Sequence, residues 1–241
     1  MQMASSIHIQ AGHAGSVTHN SRETPTKNSI FFDEKNECSL SSKEAFQIYR
    51  EELQSRTQKH IQLTGRSMQK KMITHLSAVV NLQQHHTLED LQPLVAYLEL
   101  TLKTKVFQVA IHRDEGHINT AMVNVKNYHA HIEFMGLDND GSSVRKKLTK
   151  KYLSDLQTKT AQILKMERGK NYAQSKEQRP KRLDTYEYKN YKLRESKAIE
   201  NKLVTIEELK QTIKGLRAEL QINKATRADY AALEAKNKVL Q

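Results

Sequence analysis

The sequence predicts an α+β protein, with an antiparallel β-sheet, helices packed on one face of that sheet, and a long helix at the C-terminal end. The first observation is a set of short segments in which polar and apolar residues alternate, as in half-buried strands: residues 6–10, 106–112 and 127–136. The second is that amphipathic stretches with helix-start signals lie between and after these segments. The third is the segment after Leu193, which has no proline and only one glycine, Gly215.

The N-terminal part of the chain is predicted to contain one strand, one loop and one helix. Residues 6–10 form the strand, and residues 11–27, where glycine, asparagine and proline recur, form the loop. Ser41 and Glu44 have the spacing of a capping box, in which each side chain satisfies a backbone amide of the other. We therefore expect a helix that begins at Ser41 and ends around Gly65.

The middle of the chain is predicted to form two further strands and a helix. Residues 72–82 indicate a strand, and Thr87 caps a helix that extends to about Leu102. Alternation along residues 106–112 predicts a strand with two faces: Val106, Gln108, Ala110 and His112 on one, and Phe107, Val109 and Ile111 on the other. An antiparallel connection of about a dozen residues should join this strand to the one at 127–136.

The C-terminal part is predicted to be helical. Apolar residues at helical spacing predict a helix over residues 143–166 that Gly169 ends. A second, longer pattern repeats at steps of three and four residues: Leu203, Ile206, Leu209, Ile213, Leu216 and Leu220. We expect one domain over residues 1–190 and an amphipathic helix over 191–241 that forms a coiled coil with a second copy or docks on its own chain. The pattern reaches Gln241 without a stop signal, which is consistent with a longer natural chain.

Composition narrows the range of functions. The formal net charge is +12 and the sequence pI is about 9.6, which favours polyanionic partners, because each neutralised phosphate releases counterions. A single cysteine, Cys38, excludes an internal disulfide and a thiolate zinc cluster, and fits a reducing cytoplasm. The sequence has no apolar run near 20 residues, so we expect no membrane span, and its start lacks an export signal.

Histidines on neighbouring strands predict a metal site. His129 and His131 are two residues apart on a strand and therefore project from the same face. His112, on the neighbouring strand, lies on the face opposite its apolar neighbours, and Glu115 follows at the end of that segment. Three imidazoles on one sheet face are sufficient to hold a divalent cation with open coordination positions. Glu115 would add a carboxylate, directly or through water. His75, His85 and His86 have no spacing that indicates a role.

These residues resemble the metal motif of the HUH relaxases, and in particular the Mob/Pre class (MobV-like) of plasmid mobilisation proteins. The resemblance rests on His112-Arg113-Asp114-Glu115 followed by His129-Ala130-His131. In that class a proline precedes the histidine pair and the two parts of the motif are almost contiguous. Here Tyr128 stands at the proline position, and about a dozen additional residues intervene. The resemblance implies the HUH relaxase fold, with His112, His129 and His131 as ligands of Mn²⁺ or Mg²⁺.

A second match lies in the N-terminal loop. Residues 15–22, Gly-Ser-Val-Thr-His-Asn-Ser-Arg, resemble the first motif of the same class, in which a histidine attacks DNA. The resemblance implies that His19 is the nucleophile, that Arg22 contacts the scissile phosphate, and that Glu115 belongs to the catalytic set. Tyr172, which has Lys176 at the spacing found in rolling-circle initiators, is the alternative nucleophile, and Tyr152 is a weaker one.

The function implied by the resemblance is nicking and rejoining of one DNA strand at a plasmid transfer origin, through a covalent phosphohistidine intermediate. The implied partners are single-stranded and supercoiled origin DNA, a second copy of the chain and the conjugation machinery. Basic residues expected to track phosphates are Lys146, Lys147, Lys150, Lys170, Arg179, Lys181 and Arg182. Two alternatives stay open at this point: a rolling-circle replication initiator with a tyrosine nucleophile, and a non-catalytic DNA-binding accessory protein.

Overall fold

The fold was determined as a computed structural model, which describes residues 4–24, 26, 28–118, 123–171 and 185–239. The strands are β1 (Ile7–Ala11), β2 (Glu37–Cys38), β3 (His75–Asn81), β4 (Val106–His112), β5 (Gly116–Ile118), β6 (Asn124–Lys126) and β7 (His129–Met135). The helices are α1 (Ala14–Asn20), α2 (Ser42–Thr64), α3 (Leu88–Leu102), α4 (Lys150–Ile163) and α5 (Thr185–Val239), with a 3₁₀ turn at Val144–Lys147.

Five strands form one sheet in the order β1-β3-β7-β4-β2, and every pair of neighbours is antiparallel. The central strand β7 is paired along its length with both β3 and β4. The remaining strands, β5 and β6, form a separate hairpin in the connection from β4 to β7. The predicted antiparallel sheet and antiparallel connection are therefore confirmed.

The main hydrophobic core lies between one face of the sheet and helices α3 and α4. Helix α3 contributes a stripe of fully buried leucines at helical spacing: Leu91, Leu94, Leu98 and Leu102. The sheet contributes alternate residues of its central strands: Leu76, Ala78, Val80, Val109, Ile111, Ala130, Ile132 and Phe134. Because residues of this face alternate with those of the other, the intervening residues of β7 must point to the opposite side.

The opposite face carries a second, smaller core beneath α1 and α2. Val17 of α1 and Ala45 of α2 are buried there against Phe107 of β4 and Met135 of β7. The predicted class is thus confirmed with an addition, because helices lie on both faces of the sheet. The histidine-bearing face, which was expected to lie opposite the helices, is partly covered by α1.

Capping residues explain where the long helices begin and end. Ser41 accepts a hydrogen bond from the backbone of Glu44, whose carboxylate accepts one from the Ser41 amide at 2.9 Å, so α2 begins with the predicted capping box. Helix α2 ends at Gly65, which adopts the left-handed conformation (φ +65°) that favours glycine. Helix α3 begins after Thr87, whose backbone amide donates to Asp90. Both predicted helices are confirmed.

Two predicted local structures were wrong. Residues 11–27 were expected to form a loop, but α1 occupies the middle of this segment. The helix is stabilised there because Val17 packs in the second core. The single helix expected over 143–166 is split, since the Thr149 hydroxyl accepts a hydrogen bond from the Tyr152 amide and starts α4 there. Helix α4 also ends before Gly169, and Lys165 adopts a positive φ of 51°.

The strict alternation expected along β4 was also wrong at its start. The pairing with β7 shifts register between Val106 and Gln108, which is the signature of a β-bulge. As a result Val106 packs in the main core with Val109 and Ile111, whereas Phe107 faces the second core. The bulge adds one residue before the predicted histidine face, so the alternation from Gln108 to His112 is preserved.

The chain divides into two units, within residues 1–178 and 179–241. In the second unit α5 confirms the predicted long helix, and its repeated apolar residues are about half exposed, from 48% at Ile206 to 59% at Leu216. The predicted boundary at residue 190 and the coiled coil stay predictions. Among the described residues, every helix is too short or too polar to cross a membrane.

Candidate active site

Three histidine rings meet where β4 and β7 pair on the face covered by α1. His112 lies directly opposite His129 in the ladder, and His131 lies opposite Ala110, one step along the same face. The ring centroids are 5.2 Å apart for His112 and His129, 4.9 Å for His112 and His131, and 5.0 Å for His129 and His131. The structure therefore brings together the three predicted metal ligands.

The hydrogen bonds of these rings leave bare nitrogens in the cluster. His129 Nδ1 lies 2.8 Å from the Asn127 carbonyl oxygen and must donate to it, which leaves the Nε2 lone pair free. His112 Nε2 lies 3.5 Å from the Asn20 carbonyl oxygen. His112 Nδ1 and His131 Nε2 are buried without a hydrogen-bond partner among the described residues. Unsatisfied buried nitrogens beside rings held by backbone carbonyls are what a metal site requires.

Burial also determines the protonation of the cluster. Loss of solvent lowers the pKa of His112 and His129, and lowers that of His131 well below its ordinary value. Neighbouring imidazoles contribute in the same direction, because each charged ring would repel the others. The rings are therefore neutral near pH 7, the state in which an imidazole can donate its lone pair to a cation.

Glu115 places a carboxylate among the rings. Its Oε1 lies 3.3 Å from His112 Nδ1 and 3.3 Å from His19 Nε2, and its Oε2 lies 3.8 Å from His129 Nε2. Burial alone would raise the pKa of Glu115, but its contacts with the His112 and His19 rings and the hydrogen bond from Arg22 hold that pKa far below its ordinary value. The carboxylate is thus ionised and available as an oxygen ligand.

Two overlapping sets of side chains have ligand atoms within 4.8 Å of one another. One set is His112, Glu115 and His129, and the other is His19, His112 and His131. The sets share His112, and together they contain all three predicted ligands. Nitrogen-rich sets of this kind suit transition metals better than Mg²⁺, which prefers oxygen ligands. The residues present therefore fit a divalent transition metal.

His19 belongs to this cluster although it was assigned the role of nucleophile rather than ligand. It lies in the last turn of α1 with 26% of its side chain exposed, whereas His112 and His129 are buried. Its ring is perpendicular to that of His112 at a centroid distance of 4.7 Å and lies 5.5 Å from that of His131. This position gives a ring nitrogen of His19 access to anything bound beside the three rings.

Arg22 contacts carboxylates in this structure. Its guanidinium donates to Glu115 at 2.9 Å and to Asp114, and Asp114 also accepts a hydrogen bond from Ser29 at 2.5 Å. Arg22 has a positive φ of 57°, a conformation that L side chains rarely adopt and that is often found at functional sites. The guanidinium therefore links the loop after α1 to the end of β4. Asp114 and Ser29 were not among the predicted site residues, although the position of Asp114 within the motif of residues 112–115 was an available signal.

A buried polar network beneath the cluster was also missed. His75, which had been given no role, lies 2.6 Å from Glu133, and Glu133 also accepts a hydrogen bond from Asn20 at 3.1 Å. Glu133 follows His129 and His131 at the same two-residue spacing, so it lies on their face of β7. That spacing was the available signal, since a glutamate on a buried strand face needs a partner.

The other predicted site residues lie away from the cluster or outside the described residues. Tyr152 packs against the main core on the opposite face, with its hydroxyl 2.8 Å from Thr101 Oγ1. Lys146, Lys150 and Lys170 are exposed, whereas Lys147 pairs with Asp138 at 2.7 Å. Four predicted residues lie outside the described residues: Tyr172, Arg179, Lys181 and Arg182.

Comparison with known proteins gives matches only in structure. No protein-family model matches the sequence, and no curated protein is significantly similar to it. Among solved structures, a Mn-bound crystal structure of the MobM relaxase domain (MOBV; Mob_Pre) with a 23-nucleotide plasmid pMV158 oriT DNA matches with a TM-score of 0.53 and 15% identity. The match covers 79% of this chain and 99% of that one. The chain has the fold of this relaxase domain.

Two further crystal structures of that domain, with 22-nucleotide oriT DNA, support the relaxase-domain fold. The Mn-bound form at pH 5.5 has a TM-score of 0.53, 14% identity, and coverage of 78% of this chain and 100% of that one. The Mn-bound form with a 3′ thiophosphate at pH 6.8 has a TM-score of 0.52, 14% identity, and coverage of 78% and 99%. The match therefore spans nearly all of the relaxase domain, and it confirms at the level of the fold the resemblance drawn from the motifs.

Proposed function

We propose that this protein is a metal-dependent DNA relaxase, which cuts and rejoins one strand at a plasmid transfer origin. The observation that carries the proposal is the convergence of His19 with the neutral rings of His112, His129 and His131 in a chain with the relaxase-domain fold. Because the sequence identity to the matched domain is only 14–15%, the activity has to be argued from these side chains.

In this proposal His112, His129 and His131 hold the cation, and Glu115 lies beside it as a further ligand or as a partner of a bound water. When bound, the cation would neutralise charge on the non-bridging oxygens of the scissile phosphate. The donor set favours Mn²⁺ over Mg²⁺. The matched structures of the MobM relaxase domain are Mn-bound, which supports the same choice.

The covalent step is assigned to His19. A ring nitrogen of His19 attacks phosphorus as the bond from phosphorus to the 3′ oxygen breaks, and the proton lost by the imidazole balances the one taken up by that oxygen. The products are a phosphohistidine joined to one DNA end and a free 3′ hydroxyl. The exchange of one phosphorus bond for another is readily reversed, so the 3′ hydroxyl of the same or another strand can displace His19 and restore the phosphodiester.

The DNA-binding surface is assigned to basic residues that the sequence predicted to contact phosphates. Lys146, Lys150 and Lys170 are exposed and would contact phosphates, with Arg179, Lys181 and Arg182 as further candidates. Origin DNA, single-stranded or in a supercoiled plasmid, is the proposed substrate, and oriT DNA is bound in the matched structures. A second copy of the chain, joined through α5, and the conjugation machinery are further proposed partners in the cytoplasm.

The proposal is tested by incubating the protein with supercoiled origin plasmid and with origin oligonucleotides in the presence of Mn²⁺. We expect nicking and a covalent protein–DNA adduct that peptide mapping assigns to His19. His129→Ala and His131→Ala should abolish both products, because each removes one predicted ligand. His117→Ala removes an exposed histidine of the β5–β6 hairpin and should leave both products unchanged.

The outcomes separate the competing functions. An adduct mapped to Tyr172 would favour a rolling-circle replication initiator. Metal binding and salt-sensitive DNA binding without strand scission would favour a DNA-binding accessory protein, in which His19 is a fourth ligand of the cation. Nicking that persists in both His129→Ala and His131→Ala would overturn the metal-dependent mechanism itself.

A further inference from the structure

Glu133 is a fully buried carboxylate on the same face of β7 as His129 and His131. Its Oε2 lies 2.6 Å from His75 Nε2, and its Oε1 accepts hydrogen bonds from Ser77 Oγ at 2.8 Å and Asn20 Nδ2 at 3.1 Å. A carboxylate without access to solvent is costly unless donors surround it. The sheet supplies His75 and Ser77 from β3, and the third donor comes from α1.

Asn20 connects Glu133 to the helix that carries His19. The amide nitrogen of its side chain donates to Glu133 and also to Gln108 Oε1 at 3.1 Å. Gln108 in turn donates through Nε2 to the carbonyl oxygen of Val17 at 3.4 Å and to that of Leu40 at 3.2 Å. The last turn of α1 is therefore tied to β4 and β7 through side chains that are nearly inaccessible to solvent.

The position of α1 depends on such ties. The helix has only seven residues, and helices this short do not persist in water without tertiary contacts. Its two buried residues, Val17 and Asn20, lie on either side of His19, which is itself partly exposed. Val17 packs in the second core, whereas Asn20 makes the polar attachment next to His19. The orientation of the His19 ring therefore depends on the Asn20 attachment.

We propose that Glu133 is a positioning residue, which acts through Asn20 to hold α1 so that His19 faces the metal-binding histidines. The inference rests on the proposed function for its catalytic consequence, while the anchoring of α1 is independent of any reaction. Glu133 contacts neither DNA nor metal in this scheme. Its removal should therefore change the rate of strand cleavage more than the binding of either.

The catalytic arm compares Asn20→Ala, Glu133→Ala and the isosteric Glu133→Gln with the wild-type protein, using origin oligonucleotide and Mn²⁺. The two alanine variants should lower the maximal rate of adduct formation by about 100-fold, the effect expected for a displacement of about 1 Å. The KM for oligonucleotide and the affinity for Mn²⁺, measured by calorimetry, should change less than about twofold, because no ligand or phosphate contact is removed. Glu133→Gln should retain most of the rate, since its amide oxygen can still accept from Asn20 and Ser77.

The double variant Asn20→Ala with Glu133→Ala tests whether the two residues act as one unit. If Glu133 works through Asn20, the second substitution should lower the rate by less than about twofold beyond the first. Fully multiplicative losses would contradict the proposal. If Glu133→Ala does not fold, Asn20→Ala and Glu133→Gln still decide between the outcomes, because only the first removes the attachment of α1.

The structural arm measures amide hydrogen exchange without DNA or metal. Residues 14–20 should exchange at least about tenfold faster in Asn20→Ala and Glu133→Ala than in the wild type or in Glu133→Gln, because α1 opens locally. Exchange in α3 should be unchanged and serves as the internal control. Unchanged exchange in residues 14–20 of both alanine variants would overturn the positioning role. A wild-type protein that forms no adduct would instead refute the proposed function, and the exchange data would still test the anchoring.

Discussion

His19 and Glu115 are in contact, with Nε2 of the imidazole 3.3 Å from Oε1 of the carboxylate. The same oxygen lies 3.3 Å from His112 Nδ1 and 2.9 Å from the guanidinium of Arg22. One carboxylate thus joins the proposed nucleophile, a proposed metal ligand and the arginine that follows α1. The N-terminal motif and the histidine motif, which are separate in the sequence, form one site in the structure.

The first prediction concerns Glu115→Gln. The neutral amide keeps the size of the side chain but removes the negative charge that lies among the rings. The affinity for Mn²⁺, measured by isothermal titration calorimetry, should fall by about 10- to 100-fold, the range found when a residue beside a metal site is altered. Glu51→Gln, at an exposed position of α2, should bind Mn²⁺ like the wild type. Equal affinities in Glu115→Gln and wild type would exclude the carboxylate from the metal site.

The second prediction concerns the exposed lysines near α4. Each lysine that contacts a phosphate of single-stranded DNA contributes about 0.7 to the slope of log binding constant against log salt concentration. Lys146→Ala and Lys150→Ala should each reduce that slope by about this amount, measured by fluorescence anisotropy with labelled oligonucleotide. Lys210→Ala in α5, where the lysine lies beside Glu207, should leave the slope as it is. If Lys146→Ala and Lys150→Ala keep the wild-type slope, neither lysine contacts a phosphate of the bound DNA.

The third prediction concerns the pH dependence of stability at Asp138, which pairs with Lys147. Burial raises the pKa of Asp138, but hydrogen bonds and charge from Lys147, together with amides of Ser142 and Asp140, outweigh it and leave the pKa below its ordinary value. A carboxylate with a lowered pKa in the folded state stabilises the fold above its unfolded pKa, which is about 3.9. That contribution is lost as the pH falls through the folded pKa.

Asp138→Asn should accordingly reduce the free energy of unfolding by about 1–2 kcal/mol at pH 7. The difference from the wild type should shrink as the pH is lowered below about 4. Urea unfolding at several pH values measures both effects. Asp155→Asn, which removes the partner of Lys151 in an exposed pair, should reduce the free energy of unfolding far less than Asp138→Asn does. A difference at Asp138 that is constant from pH 7 to pH 2 would show that the charge of this carboxylate is irrelevant to stability.

The fourth prediction compares two glycines. A Cβ at Gly136 would collide with the backbone of Ile73 and Thr74, so Gly136→Ala should destabilise the first unit by about 1–3 kcal/mol. A Cβ at Gly215 would meet no atom of the described structure within 4 Å, and Gly215→Ala should stabilise α5 by about 1 kcal/mol. Chemical denaturation tests Gly136→Ala, and thermal loss of helical circular dichroism tests Gly215→Ala. A neutral or stabilising effect of Gly136→Ala would contradict the packing described for Gly136, and a destabilising effect of Gly215→Ala would contradict the open surroundings of Gly215.

Patterns between residues close in the sequence correctly predicted the start of α2 and the strand face of the histidine pair. The capping box of Ser41 and Glu44 correctly located the start of α2, and alternation correctly placed His129 and His131 on one strand face. His112 reached the same face because the bulge lies before it, at Val106 and Gln108. Without a bulge, strict alternation from Val106 would have turned His112 into the core. The local sequence of β4 gave no signal that a bulge would form there.

The parts that were missed depend on contacts between distant residues. Helix α1 buries a single large apolar side chain, Val17, so its sequence lacks the periodicity that predicts a helix. The attachment of Asn20 to Glu133 connects two segments that come together only when the sheet has formed. Similarly, Lys147 was predicted to bind DNA, but it forms an ion pair with Asp138 within the fold. The charge of Lys147 alone could not reveal this partner.

The most direct test of the metal site is a crystal structure of the wild-type protein soaked with Mn²⁺, with anomalous diffraction recorded near the manganese absorption edge. We expect one strong anomalous peak between the β4 and β7 histidines, within bonding distance of His112 Nδ1, His129 Nε2 and His131 Nε2. A peak bonded to His19 would convert the proposed nucleophile into a ligand. The absence of any peak among these three nitrogens at saturating Mn²⁺ would contradict the metal-dependent mechanism.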